Sequence, residues 1–312
     1  MKACIYGILQ HSPIKLNSHN AGWTYVYKNM IEQSGKYQCV DVSNRSTDIN
    51  DYDSIYINEG VNFKSGQWNL FGGMSHDVIQ RLKDLNNYKG SVYCWGHNAP
   101  DYNHLSIKRI DGLIKFNKHI EPLDSILNSN NLILGDSHSI SIYKPAWEIS
   151  RNDGNTLYSF LHHPENYIKK SYDKVHAYFG NIDIRFHLCR QADPKQATLD
   201  LVNDYIKLCY KENIIPTCLL PIESESRKIP KSGLYKGKPF FGSRELRSEL
   251  MCIFNDNIIK HFDQCIQWPT EWYDNIDWYE KNVMESKQSV HVRPEYYNSL
   301  NLVQKKQQSA LF

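Results

Sequence analysis

From residue 132 to residue 261 the chain repeats one pattern, a short apolar run and then a segment of helical spacing, and this alternation restricts its fold more than any other feature. Leu132-Ile133-Leu134, Val175-His176-Ala177-Tyr178-Phe179 and the run from Ile214 to Leu220 read as buried strands. Thr156 to Leu161, Gln196 to Cys209 and Arg244 to His261 read as helices. Strands separated by helices cannot close as tight hairpins and pair in parallel through crossovers. The pattern predicts a parallel sheet with helices on both faces.

The first third predicts a smaller layer of the same kind. Ala3 to Leu9, Cys39-Val40-Asp41-Val42, Ser54-Ile55-Tyr56-Ile57 and Ser91-Val92-Tyr93-Cys94-Trp95 are strand candidates. Trp23 to Ile31, stopped by Gly35, and Met74 to Leu85 are helix candidates. The polar stretch from Asn117 to Asn131, with Pro122 inside it, reads as a boundary. A chain of 312 residues exceeds the usual single-domain size. The expectation is α/β throughout: two three-layer domains of Rossmann or flavodoxin type with parallel sheets, over residues 1–125 and 126–312.

Hydrophobic content of 41% and charged content of 22% exclude a disordered or fibrous chain. No apolar run approaches the roughly 20 residues of a membrane span, and the opening segment turns polar by His11, so neither a membrane segment nor a signal peptide is expected. The eight cysteines form no C-x-x-C pair, which argues against a disulfide framework or zinc site and favours a cytoplasmic setting. His119 and His162-His163 lack metal-ligand spacing, and no cofactor is expected. A net charge of +2 decides nothing about partners; only a local patch can. One candidate patch holds Arg227, Lys228, Lys231, Lys236, Lys238, Arg244 and Arg247, with Tyr235, Phe240 and Phe241 interleaved. It reads either as a lid over an anionic substrate, phosphate or nucleic acid, or as a solvated loop.

Gly135-Asp136-Ser137-His138-Ser139 follows the strand at 132–134 and places Ser137 at the carboxyl edge of a sheet, where open α/β folds bind ligands. Asp136 or Ser137 as a helix cap is the plain alternative. His291 supplies a candidate general base for a serine nucleophile. Gly154 and Asn181 supply candidate oxyanion donors, one through its backbone and one through its amide. Asp183, Arg185 and His187 alternate as in an extended segment, which predicts a charge-paired support on one side beneath the site.

Gly135-Asp136-Ser137-His138-Ser139, followed by Gly180-Asn181-Ile182-Asp183-Ile184-Arg185-Phe186-His187, resembles the SGNH (GDSL-like) hydrolase family over about residues 131–300. The resemblance implies a flavodoxin-like sandwich with Ser137 as nucleophile, His291 as base, and Gly154 and Asn181 near the oxyanion hole. It implies a serine hydrolase or acyltransferase acting on an ester of a carbohydrate or modified nucleotide. Two positions depart from the family. Gln288 stands where an aspartate precedes the histidine by three residues, which leaves Glu285 or a backbone carbonyl to orient His291, and Ile182 occupies the usual asparagine place. A silent scaffold of the same fold is therefore an alternative.

Asp48 to Asp53, Asn58, Val61-Asn62-Phe63, Gly66, Asn69-Leu70 and Tyr88 to Tyr93 resemble the amino-terminal half of phage DNA β-glucosyltransferases, over about residues 45–97. The resemblance implies a Rossmann-like domain facing nucleic acid, and a phage DNA-modification protein as the second reading, either glycosyltransferase-related or a non-catalytic nucleic-acid binder. Gly96-His97-Asn98 stands where that family carries its catalytic aspartate. Asn98 cannot act as a carboxylate base.

Overall fold

A computed structural model describes residues 1–7, 28–29, 31–32, 35–44, 48–57, 67–69, 84–94, 106–109, 112–115, 121–122, 129–144, 147–152, 154–221, 236–237, 240–285, 290–297 and 301–304. The chain divides into two compact units, Met1–Ser129 and Asn130–Phe312. Both are α/β with parallel sheets.

In the first unit the strands are β1 (Lys2–Gly7), β2 (Cys39–Asn44), β3 (Ser54–Ile57), β4 (Gln67–Asn69), β5 (Ser91–Cys94), β6 (Ser106–Arg109), β7 (Gly112–Lys115) and β8 (Glu121–Pro122). The order β2-β1-β3-β5-β8 is parallel throughout. Ala3, Cys4, Ile5 and Tyr6 are all fully buried, the continuous burial of a strand covered on both faces. A separate small sheet pairs β4 with β6 in parallel and β6 with β7 antiparallel. The helices expected at 23–31 and 74–85 fall largely outside the described residues.

The second unit contains β9 (Asn131–Gly135), β10 (Glu148–Arg151), β11 (Lys174–Tyr178), β12 (Ile214–Pro216), β13 (Gln264–Gln267) and β14 (Asn301–Gln304). β10-β9-β11-β12 form a parallel sheet. A parallel bridge from Thr217 to Ile266, with Cys218 N–H donating to the Ile266 carbonyl at 2.8 Å, brings β13 beside β12. β13 in turn pairs antiparallel with β14. Taken in chain order, the five strands β9 to β13 lie in the spatial order 2-1-3-4-5.

Helices α1 (Leu157–His162), α2 (Asn181–Phe186), α3 (Pro194–Glu212), α4 (Arg244–His261), α5 (Thr270–Asp274) and α6 (Ile276–Asn282) complete this unit. Their starts carry local signals. Thr156, Asp193 and Ser243 each accept a backbone N–H of the first turn, and Pro194 opens α3 where its missing N–H costs nothing. α3 ends at Asn213 in the left-handed conformation. α3 and α4 share a packed face, with the Tyr205 and Phe254 rings stacked at 6.1 Å. No helix among the described residues is long and apolar enough to cross a membrane.

The segment 181–186 corrects one expectation. It is a helix, not an extended run, because Gly180 takes φ +123 at the end of β11 and turns the chain directly into α2. Asp183 and His187, four residues apart, face one groove while Arg185 turns away to His138, so the three form no common charged support.

Candidate active site

β9 has β10 on one side and β11, entered later, on the other. Chain connections that leave a central strand in opposite directions open a crevice at the carboxyl ends, where open α/β sheets bind ligands. The turn bearing Ser137 leaves β9 here, and α2 leaves β11 here. Gly135 lies in register with Tyr178, and Asp136 N–H donates to the Tyr178 carbonyl at 3.1 Å. A Cβ at Gly135 would fall 2.2 Å from that carbonyl oxygen and 2.9 Å from Ser139 Cβ, so the close approach requires glycine.

Asp136 closes the turn on itself. Its Oδ1 accepts the His138 backbone N–H at 2.8 Å, and Ser139 Oγ donates to its carbonyl at 2.9 Å. Ser137 is half-buried and makes no side-chain cap among the described residues. The capping alternative therefore holds in modified form for Asp136 and not for Ser137.

His138, given no role by the sequence, is the hub of the buried site. Its Nδ1 lies 2.8 Å from Asp136 Oδ1 and its Nε2 lies 3.3 Å from Arg185 Nη2. A carboxylate only accepts and a guanidinium only donates, which assigns the proton to Nδ1 and the lone pair to Nε2. The ring stacks on Tyr178 at 5.4 Å and lies 5.1 Å from the ring of His291. The carboxyl-terminal histidine is thereby brought to the turn next to Ser137.

Tyr178 connects the network to Asn181. Its hydroxyl accepts Leu220 N–H and donates to Asn181 Oδ1, both at 3.0 Å. Burial, reinforced by the Asp136 charge, pushes the phenol well above its ordinary value and keeps it a donor. This bond fixes the amide orientation, leaving Asn181 Nδ2 buried without a partner among the described residues. An orphaned buried donor is costly in a packed interior. It is the property an oxyanion donor needs.

His291 is held by a hairpin. Met284 and Val292 form an antiparallel bridge, and Glu285 N–H donates to the His291 carbonyl at 2.9 Å. Glu285 Oε2 lies 3.8 Å from His291 Nδ1, an ion-pair separation longer than a hydrogen bond, with both side chains largely buried. Gln288 lies outside the described residues. Gly154 takes φ +78, and a Cβ there would meet nothing within 4 Å. Asn152 N–H donates to the Gly135 carbonyl at 2.8 Å, tying that turn to the end of β9.

The other expected site residues separate. Asp183 accepts Leu157 N–H at 2.7 Å and Tyr158 N–H at 3.2 Å, which caps α1. Burial, only partly offset by these N–H groups, pushes its carboxyl up to about 7. Arg185 turns inward to His138, whereas His187 is exposed at the rim of a groove. In the basic loop Lys236 is exposed, while Arg227, Lys228, Lys231 and Lys238 lie outside the described residues. Two of its cations are committed elsewhere. Arg247 is 1% exposed, donates to the Gly242 carbonyl at 2.7 Å and covers the Phe240 ring, and Arg244 pairs with Glu280 and Asp277. Among the described residues no group of three or more His, Cys, Asp or Glu side chains could hold a metal ion.

No family model matches this chain, and no curated protein matches it. A crystal structure of a “Putative sugar binding protein” from Salmonella typhimurium LT2 aligns over 82% of this chain and 85% of its own, at 10% identity and a TM-score of 0.20. That likeness is too low to bear on fold or function.

Proposed function

We propose that the second unit is a flavodoxin-like domain of SGNH type, and that it works as a serine hydrolase or acyltransferase on an ester of a carbohydrate or modified nucleotide. The supporting observation is the 5.1 Å approach of the His291 ring to His138, the neighbour of Ser137, across more than half of the unit's length in sequence. The 2-1-3-4-5 strand order agrees with this reading.

In this mechanism Ser137 Oγ attacks the acyl carbonyl carbon while His291 Nε2 takes its proton, since Nδ1 faces Glu285. The oxyanion is held by Asn181 Nδ2 and the backbone N–H groups of Ser137 and Gly154. Collapse expels the alcohol, which receives the proton from His291. Water or an acceptor hydroxyl then attacks the acyl-serine, with His291 again the base. Glu285 takes the orienting role that Gln288 cannot fill. We read the first unit as a docking scaffold of the phage glucosyltransferase type.

Treatment with a fluorophosphonate probe tests the nucleophile. Labelling of the wild-type chain that Ser137→Ala abolishes is the expected result, together with hydrolysis of p-nitrophenyl acetate. A folded wild-type chain that takes no label and cleaves no ester would overturn the proposal.

A further inference from the structure

We propose that the groove between α1 and α3 binds a linear alkylammonium ligand, a diamine or polyamine in chemical class. The groove encloses about 730 Å³, within the size range of small-molecule sites. Its apolar lining comes from Leu161, Leu188, Leu201 and Leu208. Its exposed carboxylates are those of Asp200 and Asp204, the Asp183 carboxyl being buried against the α1 N–H groups, and no lysine or arginine lines it.

The spacing on α3 produces this surface. Leu201 and Leu208 are seven residues apart and Asp200 and Asp204 four apart, so the leucines and carboxylates form adjoining stripes along one side of the helix. One turn, about 6 Å, separates the two aspartates along the axis, close to the span of a four-carbon diamine. Methylene chains pack on leucine and leave charged ends at a polar rim, as lysine stems do on protein surfaces.

Charge selects among ligand classes. Phosphates and nucleotides meet like charge at Asp200 and Asp204, with no lysine or arginine in the lining to offset it. A neutral sugar gains no charge attraction from these carboxylates and sets part of its hydroxyl surface against leucine. An ammonium finds these carboxylates and the exposed ring of Tyr158, which packs at a tilt against His162 with centroids 4.0 Å apart. The present partners of the rim aspartates are displaceable. Asp204 holds Lys207 Nζ at 2.7 Å and Asp200 holds Gln196 Nε2 at 2.8 Å, both at the exposed surface where such contacts are weak.

This inference does not depend on Ser137 chemistry, because its readout is binding. Isothermal titration of the full chain with spermidine at low salt, with putrescine, glucose and uridine monophosphate as comparisons, tests it. Spermidine is expected to bind more tightly than the others and to weaken with added salt. The double variant Asp200→Asn/Asp204→Asn, on an exposed helix face, is expected to weaken spermidine at least fivefold with an unchanged melting temperature. Leu201→Arg, which fills the groove with a cation, is expected to abolish binding. No spermidine binding by the folded chain would overturn the proposal, as would equal affinity in the double variant or tighter binding of glucose or the nucleotide.

Discussion

The carboxylate of Glu285 stands 3.8 Å from Nδ1 of His291, and the backbone of the same glutamate donates to the histidine's carbonyl at 2.9 Å. A residue six positions upstream is thus locked beside His291 by the Met284–Val292 bridge, while the position three upstream carries Gln288. The carboxylate can hold the imidazole in one tautomer and stabilise its protonated form, the service an aspartate gives in better-known triads.

Glu285→Gln is therefore expected to lower kcat for ester hydrolysis by about 10²–10⁴ with little change in KM. Gln288→Ala is expected to stay within about twofold of wild type. Steady-state kinetics on both variants check this. Equal losses would remove Glu285 from the orienting role.

Asn181→Ala removes the buried Nδ2 donor and is expected to cost about 10²–10³ in kcat. Tyr178→Phe keeps the ring stacked on His138 but frees the amide to rotate, so it should lower kcat by a smaller factor with KM held. Rate constants near wild type for both would show that the oxyanion is held elsewhere.

Two buried groups give opposite pH dependences of stability. Asp183 is raised by burial from 3.8 to about 7, so between those values the folded chain keeps a proton that the unfolded chain releases, and stability falls as pH rises. His176, beside Lys144 and Lys174, is lowered by burial from 6.5 to about 3, so in that window only the unfolded chain takes the proton, and stability rises with pH. Over about pH 4–6.5 the two oppose. Relative to wild type, Asp183→Asn is expected to tilt the profile upward with pH, and His176→Phe downward, each by at most about 1.4 kcal/mol per pH unit. Urea unfolding across that range measures both slopes. Profiles parallel to wild type would refute the assignment.

Gly135→Ala forces a Cβ against the Tyr178 carbonyl oxygen at the middle of the sheet. A loss of about 3 kcal/mol in stability is expected, at the upper end for overpacking, and chemical denaturation would detect it. A loss below about 1 kcal/mol would mean that β9 and β11 separate more easily than their register implies.

Elements were most legible where several local signals agreed. α4 carries both helical spacing and the Ser243 cap, and its predicted and observed ranges coincide at Arg244–His261. The run at 181–187 misled because seven residues with alternating charges fit an extended strand as well as two turns of helix, and Gly180 decides between them through a backbone angle that no spacing reveals. Arg247 belongs by sequence to the candidate basic patch, yet the Gly242 carbonyl and Phe240 draw it inside. His138 lay in plain view in the motif. Its role emerges only when β11 places Tyr178 and α2 places Arg185 around it, contacts of long sequence separation that local patterns do not carry.

The central place of β9 also sets a timetable for synthesis. Leu132-Ile133-Leu134 leave the ribosome before either neighbouring strand, and the partner that shields them on one side, β11, is complete only about 40 residues later. At roughly 5–20 residues per second this apolar segment waits about 2–8 s without its sheet. The segment at the heart of the site is thus also one that stays open to chaperones and to misassociation while the chain is being made.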